Sequence, residues 1–289
     1  MAGVVLEAAT WSKRRKRTEE LKGRWPFATE VLAFYGLLLD VQEAAYQTAS
    51  RDLPQPSEVA AYAAERIVPR VVEVSIANGP PAMSASVLEK FHETDFEAIV
   101  RRWLRGEDLS SIERYLARAA TSPVLEALGK NAAEACEGPR DERHCPTCGG
   151  LPQLSYFAAS PEDLVTAHRY LECSRCATAW PYPRMTCAAC GESDTARLLV
   201  YSEIGTAQAE VSGKVIKETA GMQPAHPPNA QFPHVRVDGC DSCSHYLLTI
   251  DLERDGRAVP LVDEIAAIPL DLYAKEHGMS KIVPNLVGF

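Results

Sequence analysis

The chain has 289 residues, 46% of them hydrophobic, with a net charge of −9. That is more apolar material than one compact unit needs, so two or three domains are expected. Residues 141–289 hold 12 Lys and Arg against 19 Asp and Glu; such an acidic half argues against gripping nucleic acid, where neutralised phosphates supply most of the affinity.

Near the start, the basic run Lys13–Arg17 within WSKRRKR is followed by acidic residues and another lysine before anything apolar, which does not form an export signal. The run reads as the solvated face of a helix, with an anionic partner as the minority alternative. The longest apolar stretch, Val31–Leu39, is far short of the ~20 residues that span a bilayer, so a cytoplasmic location and no membrane insertion are expected. In that reducing compartment nine cysteines are thiolates and metal ligands before they are disulfides.

Up to about residue 138 the pattern is helical, as in Val31, Tyr35, Leu38, Val41 and Ala45, which recur at three- and four-residue steps. Ser110 with Glu113 forms a capping box, and Ser122 before Pro123 reads as a second helix start; five or six packed helices are expected. Past Pro139 short strand-like stretches replace helix periodicity: Leu151–Phe157, Arg197–Tyr201 and Tyr246–Leu252, each beside a cysteine pair. Gly213–Pro233 reads as a long loop. After Val259 an amphipathic helix is expected, with Leu261, Ile265, Ile268 and Leu272 on one side.

Eight of the nine cysteines fall into four CxxC pairs: Cys145 and Cys148, Cys173 and Cys176, Cys187 and Cys190, Cys240 and Cys243. Two intervening residues let both thiolates of a tight turn face one ion, and two such turns complete a sulfur tetrahedron. Gly149 and Gly191, each following a second cysteine, suit the left-handed turn that points backbone N–H groups at the sulfurs. Short connections favour pairing neighbours, giving one site of Cys145, Cys148, Cys173 and Cys176 and another of Cys187, Cys190, Cys240 and Cys243; an interlocked pairing needs longer crossings. Four thiolates suit zinc and iron equally. Such closed sites leave no open position for metal-assisted hydrolysis, and with no GxSxG, phosphate-binding glycine loop or HExxH helix in the chain, no enzyme activity is expected. Cys136 reads as a small, partly buried residue, His144 and His245 as ordinary exposed histidines, and Asp263 and Glu264 as no acid/base dyad.

The order CPTCG, then RYLECSRC running into Ala179 and Trp180, then CAACG, then GCDSC before a tyrosine-bearing strand, resembles the formate dehydrogenase accessory protein FdhE family, as does the tail VDEIAAIPLDLYAKEHG. The likeness covers roughly residues 140–285. It implies an α+β protein with a helical N-terminal domain (1–140), two rubredoxin-like or zinc-ribbon-like four-cysteine modules (141–184 and 185–289) and a C-terminal helix. It also implies two iron ions, with zinc as the alternative, held by the eight cysteines above. The implied function is maturation of formate dehydrogenase as a chaperone-like factor that binds the catalytic subunit in the cytoplasm. Rubredoxin-like electron transfer and a zinc-ribbon nucleic-acid role are the alternatives; a homodimer is left open and nucleic acid is not expected. The 49 residues between Cys190 and Cys240, against 24 between Cys148 and Cys173, depart from the family pattern without removing a ligand.

Overall fold

The computed structural model describes residues 2–93, 95–158, 167–204, 214–219 and 230–289. The chain divides into two compact units: residues 1–150 with 175–178 and 286–288, and residues 151–174 with 179–285 and 289.

The first unit is helical: α1 (Ala2–Arg24), α2 (Thr29–Asp52), α3 (Val59–Arg66), α4 (Val68–Asn78), α5 (Pro81–Glu93), α6 (Phe96–Arg105), α7 (Ser111–Leu128) and α8 (Ala132–Ala135). Eight helices replace the expected five or six among the described residues. One extra break falls at Ile67, where Pro69 two residues on cannot donate to the preceding turn. On α2 Tyr35, Leu38 and Ala45 are buried, while Val31 and Val41 are only half-buried. They join Leu32, Val71, Leu116 and Leu125 in the core.

Two expectations are corrected here. The first concerns the run Lys13–Arg17, which is not simply a solvated face. Arg14 and Arg17 are buried; Arg14 pairs with Glu126 at 3.1 Å and Arg17 with Glu20 at 3.0 Å. The second concerns Ser122–Pro123, which does not start a helix. The Ser110–Glu113 capping box opens α7, and Pro123 lies inside it. Proline has no N–H for the carbonyl four residues back, that of Ala119. The Gln42 side-chain amide, from α2, donates to that carbonyl at 3.0 Å, so α7 continues through the proline.

Among the described residues the second unit holds one eight-stranded sheet, with two helices near its C-terminal end. Its strands are β1 (Pro152–Phe157), β2 (Arg169–Cys173), β3 (Ala179–Pro181), β4 (Leu198–Ile204), β5 (Lys214–Thr219), β6 (Val235–Cys240), β7 (His245–Asp251) and β8 (Ser280–Lys281). The order is β3-β2-β1-β7-β6-β4-β5, with β8 also on β7. Neighbours are antiparallel except that β1 and β8 run parallel to β7, β1 through Ser155–Thr249 to Phe157–Asp251. Of the loop expected at Gly213–Pro233, residues 214–219 form β5, paired with β4 from Leu199–Thr219 to Ile204–Lys214. Residues 213 and 220–229 lie outside the described residues.

The expected single C-terminal helix is two, α9 (Pro260–Ala266) and α10 (Ile268–Glu276), broken at Ala267 just before Pro269. Ile265 is buried, but Leu272 is 45% exposed, and Leu270, Asp271 and Ala274 turn inward instead. Directly paired strand residues share a face, so Tyr246, Leu248 and Ile250 line one side of the sheet. On that side the Tyr246 hydroxyl donates to Asp271 at 2.9 Å. Asp263, Glu264 and Asp271 are fully buried, each with a partner: His234 at 2.7 Å from Asp263, and Lys281 at 2.6 Å from Glu264 and 3.0 Å from Asp271. Burial pushes the Glu264 carboxyl up, partly opposed by Lys281. Burial would lower the Lys281 ammonium, but Asp271 and Glu264 outweigh it and raise it.

Candidate metal centres

The sulfur atoms of Cys145, Cys148, Cys173 and Cys176 lie within 4.8 Å of one another, as do those of Cys187, Cys190, Cys240 and Cys243. The structure thus gathers the eight cysteines by neighbouring pairs and not in the interlocked arrangement. Tetrahedral sulfurs at bonds of about 2.3 Å would have edges of about 3.8 Å. Cys145 and Cys176 are 3.6 Å apart, Cys187 and Cys243 3.8 Å, and Cys190 and Cys240 3.8 Å. These separations fit a shared ion and are far beyond a disulfide bond of about 2.05 Å. The donor set therefore fits a thiophilic ion at each cluster, zinc or iron, whose binding would replace four thiol protons by one cation.

Local backbone explains how each pair turns. In the knuckle at Cys145 the Gly149 N–H donates to the Cys145 carbonyl at 2.9 Å, and the Cys145 N–H donates to the Gly150 carbonyl at 2.8 Å. The knuckle at Cys187 repeats this wiring, with Gly191 to Cys187 at 2.9 Å and Cys187 to Glu192 at 2.8 Å. In all four knuckles the residue after the second cysteine is left-handed: Gly149 at φ 70°, Ala177 at 53°, Gly191 at 81° and Ser244 at 55°. Ala177 and Ser244 escaped sequence reasoning because neither is glycine; their position directly after CxxC was the available signal.

Sequence reading also missed the arginines that brace the first knuckle. Arg140 donates to the Thr147 carbonyl at 3.2 Å and the Ala133 carbonyl at 2.8 Å. Arg175, between the third and fourth cysteines, donates to the carbonyls of Cys148 at 3.3 Å and Glu137 at 3.1 Å. Nothing in one sequence marks an arginine for that task.

Without an ion the thiols of the second cluster divide. Burial pushes Cys187 up to about 11 and also raises Cys243. Burial raises Cys190 too, but the Glu192 N–H and hydrogen bonds with the other three cysteines outweigh it and hold it below the ordinary thiol range. Cys190 is exposed and Cys243 half-buried, whereas all four cysteines of the first cluster are buried. The ninth cysteine, Cys136, is buried and belongs to neither cluster; a hydrogen bond with Cys148 lowers its thiol against the effect of burial. His144 is half-buried and its Nδ1 lies 2.7 Å from Asp141, while the Nδ1 of His245 lies 2.8 Å from the Cys243 carbonyl.

A helical first unit, a second unit of sheet with two helices, and two four-cysteine clusters capable of holding metal ions define a class, the α+β proteins built around paired CxxC knuckles. Within that class the family descriptions "FdhE, central domain" and "FdhE, C-terminal domain" match residues 144–184 and 185–287. An FdhE homolog of Aquifex aeolicus is 27% identical over 73% of this chain and 65% of its own length; one of Pseudomonas aeruginosa is 32% identical over 50% and 38%. The chain thus spans less than two thirds of either relative. The crystal structure of the FdhE protein from Pseudomonas aeruginosa shares the fold, with a TM-score of 0.60 over 96% of this chain and 95% of that one at 22% identity. The chain belongs to the FdhE family. Among the described residues no helix is long and apolar enough to cross a membrane.

Proposed function

We propose that this protein is a non-enzymatic maturation factor for formate dehydrogenase. It binds the catalytic subunit in the cytoplasm through a scaffold held by two ions, with the eight clustered cysteines as ligands. The observation that carries the reading is the pair of clusters with tetrahedral sulfur spacing in a chain of the FdhE family. Thiolate-bound ions of this kind are folding energy, because the unfolded chain has no preformed site. Cys145→Ser or Cys187→Ser should therefore unfold the local knuckle and abolish client binding. Anaerobic co-purification with the catalytic subunit as bait, followed by metal analysis, tests this; variants that keep both full metal content and full client retention would defeat it.

The exposure of Cys190 favours a second reading, electron transfer by iron at the second cluster. It requires iron and a reversible visible absorption change on reduction. Protein purified without oxygen that remains colourless on oxidation would remove it.

A further inference from the structure

The sheet face opposite Tyr246 and Leu248 carries charge. Alternation and register place Phe157, Arg236, Asp238 and Thr249 on it. These residues, with Arg169 and Arg184, line a cavity of about 210 Å³ that also reaches Cys187.

Four arginines line this cavity, Arg169, Arg184, Arg236 and Arg254, against two carboxylates, Asp238 and Asp251. Arg254 pairs with Asp251 at 3.2 Å. Arg169 is held by the Ser155 hydroxyl at 3.1 Å, the Thr186 carbonyl at 3.0 Å and Asp238 at 3.4 Å. Asp238 must also serve Arg236. The Arg236 Nε comes within 2.9 Å of Asp238 Oδ1, yet neither atom makes an aligned hydrogen bond. Arg184 donates to the Ala167 carbonyl at 3.0 Å and makes no ion pair among the described residues. Its guanidinium lies 4.3 Å from the Phe157 ring centroid and that of Arg236 4.7 Å from the same centroid.

Four guanidiniums thus line the cavity against the carboxylates of Asp238 and Asp251, with Glu253 acting on Arg184 from outside the lining, and two of the guanidiniums are half-buried against one ring. We infer that this cavity binds the oxyanion of a small anion, a carboxylate or a phosphate, at the guanidiniums of Arg184 and Arg236, which the buried Phe157 ring holds in place. Guanidinium forks match both groups bidentately, and binding in a partly desolvated cavity strengthens charge-assisted hydrogen bonds. The cavity is smaller than the ~300–1,000 Å³ that holds drug-sized ligands, so the ligand is small. The site goes beyond the proposed client interaction and does not depend on it.

The test is calorimetric titration of the metal-loaded full chain at constant ionic strength, with inorganic phosphate in one arm and N-acetylglycine in the other. The second arm imitates a free carboxylate or a peptide C-terminus. The expected result is saturable one-site binding of at least one probe. It should weaken at least tenfold in Arg184→Gln, with metal content unchanged and with Arg101→Gln, on the exposed surface of α6, binding like the parent. The arm that saturates identifies the oxyanion. Absence of saturable binding in both arms, or equal affinity in Arg184→Gln and the parent, overturns the inference. No client is present in the experiment, so its outcome is separate from that of the co-purification.

Discussion

Unequal covering of the two clusters should make them lose metal at unequal rates. Cys145 and Cys148 are fully buried, and Cys173 and Cys176 are 2% and 5% exposed, whereas Cys190 is exposed and Cys243 half-buried. A chelator or mercurial displaces a thiolate-bound ion only after reaching the ion or one of its sulfurs, and the second cluster offers that entry. A structural four-ligand zinc contributes ~10–16 kcal/mol, or ~2.5–4 kcal/mol per thiolate if shared equally. Cys190→Ser should then weaken the second site by about 10²–10³-fold, since water reaches the position and nothing buried is orphaned. Cys145→Ser should lose the same ligand energy and in addition bury an unmatched hydroxyl, costing a further ~1–3 kcal/mol. Anaerobic metal release into a metallochromic indicator after addition of excess mercurial reads this directly. The parent should release one equivalent quickly and one slowly, and Cys190→Ser should lack the fast equivalent. A single phase carrying both equivalents, or Cys190→Ser retaining two ions at parental affinity, would refute the argument from burial.

Other expectations follow from the backbone and the caps. Gly149→Ala should destabilise by about 2–5 kcal/mol, because a left-handed alanine is strained and its Cβ would meet backbone atoms of Gly138 and Pro139 at 3.0 Å; Ala177→Gly should stay within ~1 kcal/mol of the parent, both read by denaturant melts alongside metal analysis. Gln42→Leu should cost about 1–3 kcal/mol by orphaning the Ala119 carbonyl. Adding Pro123→Ala should recover much of it, since residue 123 regains an N–H for that carbonyl; a melt cycle showing no coupling would count against the bridge. The Ser110 hydroxyl, at 2.8 Å, leads the effects that hold Glu113 below the ordinary Glu pKa of 4.5. A depressed carboxyl stabilises the fold above its unfolded pKa and loses that contribution as pH falls through the folded value. Acid melts of the parent should therefore lose the Glu113 part of this cap's contribution, and Ser110→Ala should show a smaller acid loss.

What could be read from the sequence was local. The CxxC pairs, the Ser110–Glu113 box and the change of grammar after Pro139 each depend on residues a few positions apart, and each has its structural counterpart. Long-range remedies could not be read. Pro123 signals a helix start unless Gln42 is known to reach Ala119. Asp263, Glu264 and Asp271 are carboxylates whose burial depends on His234 and Lys281 beside them, so periodicity that places Ile265 inward cannot show Asp271 there in place of Leu272. Arg14 looks like surface charge without Glu126, which lies 112 positions away. Lys214–Thr219 looks like loop because its strand character comes from pairing with β4.

Cys173 closes β2 and Cys240 closes β6, and these strands run antiparallel to β1 and β7 respectively. Because β1 and β7 are parallel, both cysteines end their strands at the same edge of one sheet. The Ser155 and Thr249 hydroxyls, 2.6 Å apart, join the two halves at the seam. The strand ends that carry Cys173 and Cys240, one ligand of each cluster, therefore belong to one hydrogen-bonded sheet. On the proposed reading a client that docks at this end of the sheet contacts a ligand-bearing strand of each cluster, β2 through Cys173 and β6 through Cys240. Loss of either ion should then weaken the same interaction, whereas independent modules would yield two separable partial losses.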